Sequence, residues 1–345
     1  MKNKGLMYTV IALGVVLVGF LVFQAFGSSK SSNQKMENNN EKVYTVGVLQ
    51  FVSHPALDQI YEGVKEGLKK EGYEEGKNLK INFQNGQADQ SKLDTMSKQL
   101  ISDDADALVG IATPAAQALA NSTTTIPIVL GAVTDPKGAG LVKSNEKPGG
   151  NITGVSDQPP VASIIQLAHK LIPTGKKVGL LYSSSEMNSK FQTGQAEAEA
   201  KKLGLAVERK AVTSTNEVAQ AVQVLSQSVD FIFIPNDNTI ANAMETVNQE
   251  ADKNNVPVFP SVDTMVEQGG LATIGINQKE LGIKTGEMAA AILAGKSKPE
   301  DTAVYTFTKG DTIINKDQLA KFNLTLPTDL KENAKLVQTA KGDKK

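Results

Sequence analysis

Polar residues able to hold a small charged solute recur where apolar runs stop and helical segments start. They form the clusters Gln50 to His54, Ala112-Thr113-Pro114, Thr134-Asp135-Pro136, Ser183 to Asn188, Asn236-Asp237-Asn238 and Ser261-Val262-Asp263. Thr113 before Pro114 reads as an N-cap with proline at the first helical position. Such a helix start offers free N–H groups and a favourable dipole to an anion. Asp135, Asp237 and Asp263 either cap and turn the chain or accept a ligand ammonium in a partly desolvated cleft. Phe51, an aromatic at a strand end, either packs in the core or meets a ligand ring. His54 has no G-x-S-x-G motif to serve and reads as a loop residue or cap.

Other chemistries lack their residues. Cysteine is absent, which removes disulfides, thiolate catalysis, cysteine metal sites and an N-terminal lipidated cysteine. Histidine occurs twice, at His54 and His169, and neither EF-hand spacing nor a phosphate loop is present. Gly138-Ala139-Gly140 and Gly149-Gly150 do not link a first strand to its helix, so the dinucleotide fingerprint is unmet. No cofactor and no metal are expected. Lys+Arg 36 against Asp+Glu 37 gives a net charge of -1, and no basic stripe invites nucleic acid.

The clusters need strands and helices to place them. Tyr44 to Leu49 is apolar or β-branched at nearly every position, as in a strand covered on both faces. From Pro55, Leu57, Ile60, Tyr61, Val64 and Leu68 recur at helical spacing. The β-α alternation continues with strands over Leu79 to Phe83, Ala107 to Ile111, Ile126 to Val133 and Asn151 to Ser156. It restarts with strands over Val178 to Tyr182, Ala206 to Lys210, Phe231 to Ile234, Val258 to Pro260 and Leu271 to Ile276. Helices are expected between them, among them Ser91 to Ile101, Lys190 to Leu203, Ala241 to Asn254 and Glu280 to Leu293, with a late strand over Val304 to Thr308. At 345 residues with 40% hydrophobic content, this describes two Rossmann-like α/β halves. In open sheets of this kind, ligands bind at the carboxyl ends of strands.

Ahead of these halves, Lys2 and Lys4 precede the uncharged run Leu6 to Phe26, long enough to cross a hydrocarbon core. It reads as an uncleaved signal-anchor, with Ala25-Phe26-Gly27 as the alternative, a cleavage site. Ser28 to Lys42 has one apolar residue, Met36, and reads as a flexible spacer.

Four ordered stretches resemble the ABC transporter substrate-binding proteins often grouped with tryptophan-binding lipoproteins of Gram-positive bacteria. They are VGVLQFVSHPALD at Val46 to Asp58, IATPAAQAL at Ile111 to Leu119, VTDPKGAGLV at Val133 to Val142 and PGGNITGVSD at Pro148 to Asp157. The resemblance implies a type I periplasmic-binding-protein fold: two Rossmann-like lobes, a three-segment hinge and a ligand between the lobes. The expected division is an anchor over 1–27, a linker over 28–42, a first lobe of 43–155 with 277–308, a second lobe of 156–276 with 309–330, and a disordered tail over 331–345. Hinge crossings are expected at Asn151 to Pro160, Gly275 to Lys279 and Thr308 to Thr312.

By the same resemblance, Thr113, Pro114 and Ala115 with Val133 to Asp135 would take a ligand carboxylate, and Asp237 its ammonium. The remaining expected contacts are Gln50, Phe51, Ser53, Asp157, Tyr182, Asn188, Asn236 and Asp263. The implied function is capture of an amino acid, aromatic and most simply tryptophan, by a monomer that hands it to a membrane permease. Relatives attached through a lipidated cysteine differ from this chain, whose attachment would rest on Leu6 to Phe26. A Rossmann enzyme lacks its fingerprint here, and a sensory ectodomain would need an intracellular output. A nucleoside or sugar is the competing solute.

Overall fold

The structure, a computed structural model, describes residues 42–307 and 309–340. The first half runs β1 (Tyr44–Gln50), α1 (Pro55–Lys70), β2 (Leu79–Asn85), α2 (Gln90–Ser102), β3 (Ala107–Ile111), α3 (Thr113–Ser122), β4 (Ile128–Gly131) and β5 (Ile152–Ser156). Next come α4 (Val161–Leu171), β6 (Lys177–Ser183), α5 (Met187–Lys202), β7 (Ala206–Val212), α6 (Val218–Leu225), β8 (Phe231–Ile234), α7 (Asn238–Ala241), α8 (Met244–Asp252), β9 (Val258–Pro260), α9 (Asp263–Glu267) and β10 (Ala272–Gly275). The chain closes with α10 (Gln278–Leu293), β11 (Tyr305–Thr306), β12 (Asp311–Asn315), α11 (Lys316–Lys321), α12 (Thr328–Asn333) and β13 (Lys335–Val337).

Three sheets result. The first has the order β11-β5-β4-β3-β1-β2 with every pair parallel, and β1, one strand in from the β2 edge, is in register with both neighbours, Val46 opposite Ile81 and Ala107. The second, β7-β6-β8-β9, is also parallel. In the third, β12 pairs antiparallel with β10 and parallel with β13. The chain therefore leaves the first sheet after β5, returns to it after β10 and leaves again between β11 and β12. The first sheet with its helices is called the first lobe below, and the other two sheets the second.

Strand alternation explains how the second sheet is covered. Val178, Leu180, Phe231 and Phe233 face one core with α4 and α5, while Leu181, Ile232 and Ile234 face another with α6 and α8. In the first lobe α1 and α10 touch backbone to backbone. A Cβ on Gly63 would stand 2.3 Å from the Lys279 carbonyl oxygen, and one on Gly282 would stand 2.0 Å from that of Ile60. Gly67 and Gly286 repeat the contact one turn on.

Some expected boundaries move. The strand expected over Ile126 to Val133 stops at Gly131, because Ala132 takes a left-handed φ of 60°. The helix expected over Ala241 to Asn254 is two helices separated by Asn242 and Ala243. Part of the expected disordered tail is ordered: β13 pairs with β12, Thr339 N–H bonds Asp317 at 2.9 Å, and Ala340 N–H bonds the Glu267 carbonyl at 2.8 Å. Leu6 to Phe26 lies outside the described residues. Among the described residues, no helix is long and apolar enough to cross a membrane.

Candidate ligand-binding cleft

The carboxyl ends of β1, β3, β4 and β5 in the first lobe face those of β6, β8 and β9 in the second, and several hydrogen bonds cross between them. His54 Nε2 lies 3.1 Å from Asn238 Oδ1, and Gln192 Nε2 donates to Thr134 Oγ1 at 3.2 Å. Gln90 Nε2 donates to the Ser185 carbonyl at 2.8 Å, and Gln117 Nε2 lies 3.1 Å from Met187 Sδ. Ala56 of α1 is even part of a second-lobe core cluster. The lobes are shut upon each other.

On the first-lobe side, Gln50 is fully buried. Its Nε2 donates to the Val52 carbonyl at 2.9 Å and to Asp58 Oδ1 at 2.7 Å, which leaves Oε1 without a partner. Ser53 is exposed and donates its hydroxyl to Asp58 at 2.8 Å. Phe51 is 1% exposed within the first-lobe core cluster. Thr113 is not the N-cap. Ala112 holds that position with φ 74°, and α3 begins with no side-chain cap. Ala112 and Ala132 are thus both buried alanines in left-handed backbone at adjacent strand ends, the kind of strain that collects where ligands are clamped. Asp135 is a turn former, its Oδ1 accepting the Gly138 N–H at 2.8 Å.

On the second-lobe side, the carboxylates are occupied from within. Asp237 caps α7 by accepting the Ile240 N–H at 2.9 Å, and it also accepts from Ser183 N and Ser189 Oγ. Glu186, fully buried, accepts from Thr239 N at 2.9 Å, Thr239 Oγ1 at 2.8 Å, and Asn238 Nδ2 at 2.6 Å. Asp237, which the resemblance assigns to a ligand ammonium, thus already accepts three donors of its own lobe. The Tyr182 ring lies 6.0 Å from the Arg209 guanidinium on β7. Asp263 accepts the Thr264 N–H at 2.8 Å.

Between the lobes, Thr134 Oγ1 donates to Asp157 Oδ1 at 2.9 Å, and Asn236 Nδ2 donates to Asp157 Oδ2 at 2.9 Å and to its carbonyl at 3.2 Å. Asn188 Nδ2 donates to the Asn236 carbonyl at 2.6 Å and to Glu186 at 3.3 Å. These donations fix the amide orientations. Asn188 Oδ1 and Asn236 Oδ1 are then buried without partners, as are Gln50 Oε1 and Ser261 Oγ. Buried polar atoms rarely go unpaired, so these four leave places for a water or a solute to bond, as do Ser97 Oγ, Asn145 Oδ1, His169 Nδ1 and Thr273 Oγ1 elsewhere.

Burial shapes the charges. It pushes Asp157 up from the usual carboxylate range, against the pull of its Thr134 and Asn236 bonds. Burial and the adjacent Glu186 carboxylate push Asp237 up to about 7, and burial raises Asp263 to about 6. His54 is lowered, again by burial. Among the described residues, no group of three or more His, Asp or Glu could hold a metal ion.

A cavity of about 200 Å³ spans the lobes, lined by Thr113, Asp135 and Ala139 from one and by Met187, Asn188 and Phe191 from the other. A larger hollow of about 570 Å³ lies outside, between α2 and α3, and among the strand-end residues touches Pro114 alone. Glu186 fell within an expected cluster. Met187 did too, whereas Gln192 and Phe191 did not, because they sit inside α5, where nothing in the local pattern marks them.

Fold and cleft together define a two-lobed solute-binding protein of the type I periplasmic-binding-protein class. The chain belongs to the ABC transporter substrate binding protein family, whose model matches residues 45–338. This is a family of binding proteins, not of enzymes. The chain is similar to the tyrosine-binding protein of Clostridioides difficile, 38% identical over 324 residues that cover 94% of this chain and 93% of that one. A Streptococcus pneumonia ABC domain crystallised with L-Trp is 48% identical, with TM-score 0.83, over 86% of this chain and 100% of that one. The ligand-free, open structure of a Clostridium difficile substrate binding protein is 40% identical but has TM-score 0.66 at the same coverage. With the bonds across the cleft, that difference marks the present arrangement as closed.

Proposed function

We propose that this protein is the extracellular solute-binding component of an ABC importer, held at the membrane by Leu6 to Phe26, and that it delivers an aromatic amino acid, tryptophan first, to its permease. The observation that carries the proposal is the set of buried acceptors without partners, Gln50 Oε1, Asn188 Oδ1 and Asn236 Oδ1, beside the uncapped start of α3. An ammonium offers three donors, and a carboxylate suits first-turn N–H groups. A zwitterion answers both needs. Asp157, behind Asn236, supplies the negative charge that Asp237 spends within its own lobe. Relatives whose names state tyrosine and L-Trp support the aromatic class.

Thermal shift and calorimetry with the twenty amino acids, adenosine and glucose test the reading. Tryptophan and tyrosine are expected to raise the melting temperature most, as a ligand of the folded state must. An equal response to leucine removes the aromatic preference, and a response to adenosine or glucose alone replaces the amino acid.

A further inference from the structure

We propose that Gln192 is a positioning residue for ligand capture: it latches the two lobes through a ring of hydrogen bonds and sets affinity without touching the solute. The proposal rests on the binding function above and adds how that site is closed.

The ring can be followed atom by atom. Gln192 is fully buried on α5, and its Oε1 accepts the Asn236 N–H at 2.9 Å, a bond within the second lobe. With one end fixed there, its NH₂ points across the cleft and donates to Thr134 Oγ1 at 3.2 Å. Thr134, 2% exposed, donates its hydroxyl in turn to Asp157 Oδ1 at 2.9 Å. Asp157 Oδ2 takes the Asn236 Nδ2 hydrogen at 2.9 Å, which returns the ring to the residue whose N–H began it. Asp157 follows β5, where the chain first passes from one lobe to the other, so it stays near both.

Thr134 spends its hydroxyl hydrogen and Asn236 both of its amide hydrogens on Asp157, and Gln192 commits its oxygen and one of its two amide hydrogens to other members of the ring. The acceptors that lack partners, such as Asn236 Oδ1, lie outside it. Gln192 and Thr134 face each other only when the lobes are shut. In an open molecule both would be hydrated, so their bond acts on the opening equilibrium alone. Apparent affinity scales with the fraction of molecules in the competent state. A latch that raises that fraction raises affinity for every solute alike.

The full chain contains no cysteine, so one cysteine on an exposed position of each lobe can carry a dye pair. Single-molecule energy transfer then gives the closed fraction with no solute present. Gln192→Leu and Thr134→Val are each expected to lower that fraction roughly three- to tenfold, the yield of one hydrogen bond, with little further loss in the double variant. Gln192→Leu is also expected to weaken tryptophan, tyrosine and phenylalanine by one common factor. Thr134→Val leaves the second lobe untouched, so a folding defect in the Gln192 variant does not decide the matter. An unchanged closed fraction in both variants overturns the latch. A changed rank order of the three solutes in Gln192→Leu also overturns it, because the residue would then be a ligand contact. If the parent chain binds none of the three, the aromatic reading fails, and the ligand-free closed fraction still decides the latch.

Discussion

Asp237 and Asp263 stand at equivalent strand ends, yet they have different work. Asp237 is 2% exposed and accepts three donors of its own lobe, whereas Asp263 accepts one N–H at the start of α9. Burial raises Asp263 from 3.8 to about 6, so its folded form favours the proton. Its stabilising contribution is therefore full below about pH 4 and lost as pH rises through about 6. Asp263→Asn keeps an acceptor for Thr264 N–H and does not titrate. It is expected to match the parent near pH 4 and to exceed it by about 1–2 kcal/mol near pH 8 in urea denaturation. A variant equal to the parent at both pH values refutes the shift. The sequence located both carboxylates at strand ends but could not show which was already spent. That depends on Ser183 N and Ser189 Oγ, which only the folded second lobe brings to Asp237. Phe51 follows the same logic: its position was legible, and its core role depends on neighbours distant in the chain.

At the scale of elements, the pair α1 and α10 sets the sharpest constraint. Their glycines allow backbone contact, and a methyl group on Gly63 would meet a carbonyl oxygen at 2.3 Å. Gly63→Ala is expected to cost about 2–3 kcal/mol by chemical denaturation, since two whole helices must part to admit it. Gly194, within α5, is the control. A Cβ there meets nothing within 4 Å, so Gly194→Ala should stabilise by about 0.5–1 kcal/mol through helix propensity alone. Equal effects at the two positions would refute close packing as the cause. Most strands were legible because buried parallel strands read as continuous apolar runs, as FIFI does at Phe231–Ile234. By contrast β12 and β13 were not. Asp311–Asn315 begins with the exposed Asp311 and the half-buried Thr312, and Lys335–Val337 is largely exposed, so the pairing of β12 with β10 and of β13 with β12 leaves only a short apolar pattern to find.

The whole molecule is two lobes joined by three passages of chain, shut by bonds from His54, Gln192, Gln90 and Gln117. Each such bond contributes about 0.5–1.5 kcal/mol, and those at the exposed rim less, so together they tilt the closure that a solute completes. Retention at the membrane is expected to rest on Leu6 to Phe26. Fractionation with a salt wash should leave the protein in the membrane pellet, and a free form starting near Ser28 would show a cleaved leader instead.

The order in which the passages occur also fixes when each lobe can be finished during synthesis. The first-lobe core takes Ile276, Leu281, Met288, Ala289 and Ala290 from α10 and its approach, and Val304 from beyond it. A ribosome that has made five strands of the first sheet has not yet made the helix that covers them. The second sheet, by contrast, is assembled from one continuous stretch, Lys177 to Pro260. The sheet that begins first is therefore covered only after the second sheet has been made, and until α10 emerges the nascent chain carries an uncovered apolar face for a holding chaperone to shield.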